Sequence, residues 1–261
     1  MDRQALKLVD VAAMAGGTAT GTNHVHFPYQ LGTLGVHEIA PETYGDGPAA
    51  LGFALTAGGG ECNGALLWIR EDRFVPDRGR PCGDGLRALG IDPGRLLTAT
   101  ARSSRDALWA TEEAMKSGAV GLVLTELAGV DFTATRRLAL ASEAQASAAI
   151  LCLPHTLEGA TAAMTRWRVR AAPSAPNRLA PGQVGRLRWQ ARLERARNAP
   201  HAIGRSHGLE FNHETLSIDL VPGLAAGPAP PPQETGTGDL LSFPEGAGTG
   251  LGTRSRIARA G

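Results

Sequence analysis

GVHEIAPETYGDGPAALGFALTAGGGECNGALLWI, residues 35–69, decides the fold. Gly35 to Ile39 reads as a short strand, and Pro41 to Gly47 is turn-rich. Pro48 to Leu55 reads as a helix with proline in its first turn, where the missing N–H has no helical partner to lose. Gly58-Gly59-Gly60 reads as the helix stop. Ala65 to Ile69 is a continuous apolar run, which suits a strand covered on both faces. Strand, helix and strand in this order predict a βαβ unit with a parallel strand pair.

The alternation continues downstream. Leu86 to Gly90 reads as a small helix and Arg95 to Ala99 as a strand. Residues 104–117 give the clearest helix: Leu108, Thr111, Glu112 and Met115 share a stripe widened by Ala107, Ala110 and Ala114, and Gly118 closes it. Val120 to Leu124 and Ala149 to Leu153 are buried-strand runs on either side of an alanine-rich helix, Thr133 to Ser147. The expected fold is α/β: a mainly parallel sheet with helices on both faces. After Pro154 the pattern changes. Thr165 to Arg170 and Leu187 to Leu193 alternate with period two, which predicts antiparallel strands with arginines on one face. A Pro- and Gly-rich linker, 171–185, joins them.

The ends read differently. Residues 1–30 are expected to be poorly ordered, apart from a short helix within Ala5 to Met14. Residues 31–221 form the expected folded domain. Residues 222–261 hold nine glycines and six prolines with almost no apolar periodicity, so this tail is expected to be disordered. Inside it lie a small apolar island, Asp239 to Phe243, and a basic end, Arg254 to Arg259.

The net charge of the 261 residues is +1, which hides an asymmetry. Residues 1–165 carry 13 basic and 18 acidic groups, whereas residues 166–205 carry ten arginines and one acid, Glu194. A segment that positive attracts phosphates or an acidic partner. Arg166, Arg168, Arg186, Arg188 and Arg192 are the candidate contacts. Trp167 and Trp189 are interleaved with them, as in single-strand nucleic-acid sites. The alternation nevertheless puts both tryptophans on the face opposite the arginines, which favours a core role. Only two lysines stand against 24 arginines, so no single choice of arginine over lysine carries an argument. Three scattered cysteines and no leader-like segment point to a reducing cytoplasm. No apolar run reaches membrane-spanning length. The nearest approach to a metal pair, His24 and His26, reads as a surface loop, so no metal or other cofactor is expected.

In a doubly wound sheet the ligand sits beyond the carboxyl ends of the strands, at a βα turn. Here the first such turn runs from Ala40 to Ala49. A working phosphate loop needs GxxxxGK[ST], so that amides wrap the phosphates, lysine neutralises them and the hydroxyl binds magnesium. This turn has Gly45 and Gly47 but no lysine and no hydroxyl at the helix start. Glu42 and Asp46 stand where phosphate would sit, and like charges about 4 Å apart repel by several kcal/mol at intermediate dielectric. By itself the turn is an ordinary glycine-rich βα connection that suits phosphate poorly.

Two blocks give that absence meaning. Arg87 to Leu97, RALGIDPGRLL, and Ser117 to Glu126, SGAVGLVLTE, resemble in order and spacing two segments of RecA recombinases, the second being their Walker B strand. Within that superfamily the chain is most similar to the ImuA family of bacterial damage-inducible mutagenesis accessory proteins. Val36-His37-Glu38 with Gly45 to Leu55, Asp106 to Val120, Thr165 to Val169 and Arg188 to Asn198 carry the likeness. The resemblance covers about residues 31–195 and implies a RecA-like core. It places Glu126 at the Walker B acid and Glu71 or Asp72 near the catalytic glutamate, with Pro154-His155 in place of a nucleotide sensor. Gly45, Asp46, Gly47, Asp72 and Glu126 would then mark a degenerate nucleotide site without catalysis. The family also implies an inactive Y-family polymerase-like partner of the ImuB type and an alternative polymerase III α subunit, with RecA and single-stranded DNA as further contacts. An active RecA-type ATPase with an unusual loop and a SulA-like division inhibitor are the competing readings.

Overall fold

Among the described residues nine strands, β1 (Gly35–Pro41), β2 (Ala65–Glu71), β3 (Leu96–Ala101), β4 (Val120–Glu126), β5 (Ala148–Cys152), β6 (Thr165–Ala172), β7 (Arg188–Ala196), β8 (Ser206–Asn212) and β9 (Ser217–Leu220), form one sheet in the order β3-β2-β4-β5-β1-β6-β7-β8-β9. In the computed structural model the described residues are 27, 29–59, 64–177, 180 and 183–221. All of them belong to one compact unit, Met1–Gly227. The helix within Ala5 to Met14, His24 and His26, Cys62, and the tail 222–261 with its apolar island and basic end lie outside the described residues.

The parallel block is β1, β2, β3, β4 and β5, extended by β6 beside β1. Alternation within each strand splits the core into two layers. Ile39, Leu66, Trp68, Leu122, Leu124 and Ile150 face α1 (Gly47–Gly59) and α3 (Gly83–Ala88). Val36, Ile69, Val123, Ala149 and Leu151 face α4 (Ser104–Ser117) and α5 (Phe132–Gln145). The expected α/β class with helices on both faces is therefore what the chain builds. α2, a single turn at Val75–Arg78, lies in the β2–α3 connection.

Local sequence explains the helix ends. Ser103 and Asp131 cap α4 and α5 by accepting from the amides of Asp106 and Ala134. Gly118 closes α4 in the left-handed conformation, φ 62°. α1 ends at Gly59, within the Gly58-Gly59-Gly60 stop. Gly58 serves packing: a Cβ there would lie 2.3 Å from Ile150 Cδ1.

Beyond β6 the sheet turns antiparallel through β7, β8 and β9. β6 and β7 match the period-two segments, whereas β8 and β9 were not anticipated. Trp167 and Trp189 are 0% and 3% exposed on the α1 side, as the alternation implied. Phe27 and Tyr29, from the stretch read as poorly ordered, pack edge-on and tilted against Trp167 at 5.9 and 5.8 Å between centroids. The core therefore begins before residue 31.

Candidate functional site

The β1–α1 turn supplies its own anion. Asp46 Oδ2 accepts from the Thr43 amide at 3.1 Å and the Thr43 hydroxyl at 2.7 Å, and Asp46 Oδ1 accepts from the Ala171 amide at 2.9 Å. The Asp46 carboxylate thus collects two donors from Thr43 in its own turn and one from Ala171 on β6. Gly47 opens α1 in ordinary right-handed conformation, φ −51°. Neither Gly45 nor Gly47 has positive φ, so the turn makes no use of the freedom a phosphate cradle draws from glycine.

Glu126, at the carboxyl end of β4, is 1% exposed. Trp68 Nε1 donates to its Oε1 at 2.9 Å, and Arg78 from α2 forms an ion pair with its Oε2. Arg78 also stacks on Phe74, 4.7 Å from the ring centroid. Its Nη2 lies 3.9 Å from where a Cβ of Gly47 would stand, so it fills the space between Glu126 and the start of α1. A cation is thus already delivered to Glu126 by the chain itself. Arg78 and Trp68 were not read as site residues. Arg78 sits in RFVPDRGR, residues 73–80, a stretch with no periodicity to place it.

The other acids diverge. Glu71 is buried, and its Oε1 accepts from the Ala128 amide at 2.8 Å and from the Ser104 hydroxyl, tying the end of β2 to α4 and to the β4–α5 loop. Asp72 is exposed in a short 3-10 turn. Of the five expected site residues, Glu126 is linked by Arg78 to Gly47 at the start of α1, Asp46 has its own donors, and Asp72 is exposed. His155 is exposed, with its ring edge-on to Tyr44 at 6.2 Å. Burial and the nearby negative charge of Glu126 push the Cys152 thiol up, above the ordinary thiol range.

The arginine face is a compensated lattice. Arg166 pairs with fully buried Glu38 at 2.6 Å, and Arg168 with Glu194 at 3.1 Å. Arg168 also donates to the carbonyls of His155 and Leu157, at 2.7 and 3.1 Å. Arg188 and Arg186 share Glu210, at 2.6 and 3.3 Å, and Arg192 reaches Glu194 at 3.2 Å. Exposure separates these side chains. Arg166 and Arg168 are 11% exposed, whereas Arg186 and Arg192 are 40% and 46% exposed. The second pair carries the accessible charge.

On the opposite face, a buried polar chain joins β1 to β6. Trp167 Nε1 donates to Thr165 Oγ1 at 2.9 Å, and that hydroxyl lies 2.7 Å from His37 Nδ1. His37 Nε2 lies 2.8 Å from the Leu34 carbonyl. A neutral ring fits both contacts: Nε2–H donates to the carbonyl and Nδ1 accepts from Thr165. Burial lowers the His37 pKa to about 4.

Among the described residues no helix is long and apolar enough to cross a membrane, and no group of three or more His, Cys, Asp or Glu is placed to hold a metal. No protein-family model matches the chain. A solved structure, SulA from Pseudomonas aeruginosa, aligns with 46% of this chain and 97% of its own at 19% identity and a TM-score of 0.35. Protein ImuA of Caulobacter vibrioides, in strains NA1000 / CB15N and ATCC 19089 / CIP 103742 / CB 15, is 31% identical over 211 residues, which is 73% of this chain and 82% of the relative. At that identity and coverage, the chain belongs to the ImuA family of damage-inducible mutagenesis proteins.

Proposed function

We propose that this protein is a non-catalytic accessory factor of damage-induced mutagenesis that acts in translesion DNA synthesis through protein contacts. The observation that carries the reading is the Arg78–Glu126 ion pair, which supplies from within the chain the positive charge that a nucleotide-bound metal would bring to Glu126. Asp46 supports it, since its carboxylate already accepts from Thr43 in the β1–α1 turn and from Ala171 on β6. The work of the protein then falls to its surfaces. Its partners are a polymerase-like protein of the ImuB type and an alternative polymerase III α subunit, with RecA or single-stranded DNA as further contacts, in the cytoplasm. Arg186 and Arg192 are the arginines best placed to meet an acidic partner or a phosphate backbone, being the most exposed of the five.

Complementation tests this reading. Deletion of the gene is expected to abolish damage-induced mutation, and Glu126→Gln is expected to restore it in full. Affinity capture of the full chain from damaged cells is expected to bring down the polymerase-like partner. Failure of Glu126→Gln to complement while the protein accumulates normally would favour the ATPase reading instead.

A further inference from the structure

The connection from Asp72 to Arg80 crosses the carboxyl end of the sheet without contributing to the core. None of its residues is buried, neither of its short helical turns has a side-chain cap, and α2 is one turn long. Such a segment lacks the apolar contacts that hold an element in place. Two arginines hold it down. Arg78 grips Glu126, and Arg70, which is 6% exposed on β2, donates to the carbonyl of Gly79.

Both ends are built as hinges. On one side Glu71 is fixed by Ser104 and Ala128, so movement begins after it. On the other, Gly79 has φ 64° and ψ −156°, a backbone region open essentially to glycine. Arg78 meets Glu126, which accepts from Trp68 Nε1 and stands in register with Cys152 across β4 and β5. The charge of Arg78 reaches the Cys152 thiol. Arg70 Nε is buried with no hydrogen-bond partner, so the closed arrangement leaves one donor of that guanidinium unused.

We propose that Asp72–Arg80 is a hinged lid, latched by Arg78 on Glu126, which opens as a unit while the sheet stays folded. Opening presents the Glu126 carboxylate, the Trp68 indole and the Arg70 guanidinium at the carboxyl end of the sheet. The inference rests on the geometry of the lid and needs no nucleotide, so its failure leaves the proposed function standing.

Cys152 is the reporter. In full-length protein carrying Cys62→Ser and Cys82→Ser, Cys152 is the remaining thiol, and its labelling by an aromatic disulfide reagent times each opening. A lid predicts wild-type labelling that is independent of urea at low concentration, the mark of local opening. Arg78→Gln is expected to raise the rate by up to about fivefold, as for loss of a partly exposed ion pair. Arg78→Lys should give a smaller rise, and Arg73→Gln, in the same segment but outside the latch, should give none. Labelling that follows global unfolding throughout the urea range, with Arg78→Gln matching wild type, would overturn the proposal. Because the wild-type urea dependence is itself decisive, a poorly folding variant cannot mask the answer.

Discussion

Glu38 and Glu126 are both nearly free of solvent, and each is met by an arginine from another element. Their arginines differ in exposure, 11% for Arg166 against 36% for Arg78. Glu38→Gln leaves a largely buried guanidinium without its carboxylate and is expected to lower the unfolding free energy by about 3 kcal/mol in urea titration. Arg192→Gln removes an exposed partner and should change it by no more than about 0.5 kcal/mol. His37 sets a pH dependence. Its pKa is lowered to about 4 in the fold from an ordinary 6.5, so between those values the unfolded chain binds a proton that the native chain refuses. Stability is therefore expected to fall as pH drops from 6.5 toward 4, by on the order of 3 kcal/mol, with no further loss from this group below 4. His37→Gln should flatten the profile in that window. At this scale the sequence points to Asp46 and Glu126 but not to Arg78 or Ala171, the groups that meet them. Asp46 and Glu126 stand at the ends of elements whose pattern is plain, whereas Arg78 returns over the sheet from a connection without pattern.

At the scale of elements, legibility followed burial. β2, β4 and β5 are covered on both faces, so each is an uninterrupted apolar run. α4 announces itself by its stripe and by Ser103 and Gly118 at its ends. β8 and β9 escaped because a glycine interrupts β8 and β9 has only four residues, Ser217–Leu220, with one of them buried. α1 shows a local rule and packing acting at one place. Three glycines read as a stop and the helix ends at Gly59, while at Gly58 a Cβ would lie 2.3 Å from Ile150 Cδ1 on β5. Gly58→Ala should therefore destabilise the protein by about 1–3 kcal/mol in thermal or urea unfolding, although alanine is the better helix former. Ser103→Ala should cost about 1 kcal/mol through loss of the α4 cap.

For the whole molecule, one sheet links the parallel block to the antiparallel extension, and the cluster around Trp167 draws on both. Far-ultraviolet dichroism, which follows the helices, and tryptophan emission, to which the buried rings of Trp68, Trp167 and Trp189 contribute, should change together on heating. The same continuity places Asp46 and Glu126 at the carboxyl end of one rigid frame, each committed to partners within the chain. In the function proposed above, that commitment is the physical reason for a protein that works without nucleotide chemistry. Magnesium-dependent ATP hydrolysis by the full-length protein, compared with Glu126→Ala, tests it most directly. The expected result is no turnover above background in either protein; hydrolysis by the wild type that disappears in Glu126→Ala would contradict it.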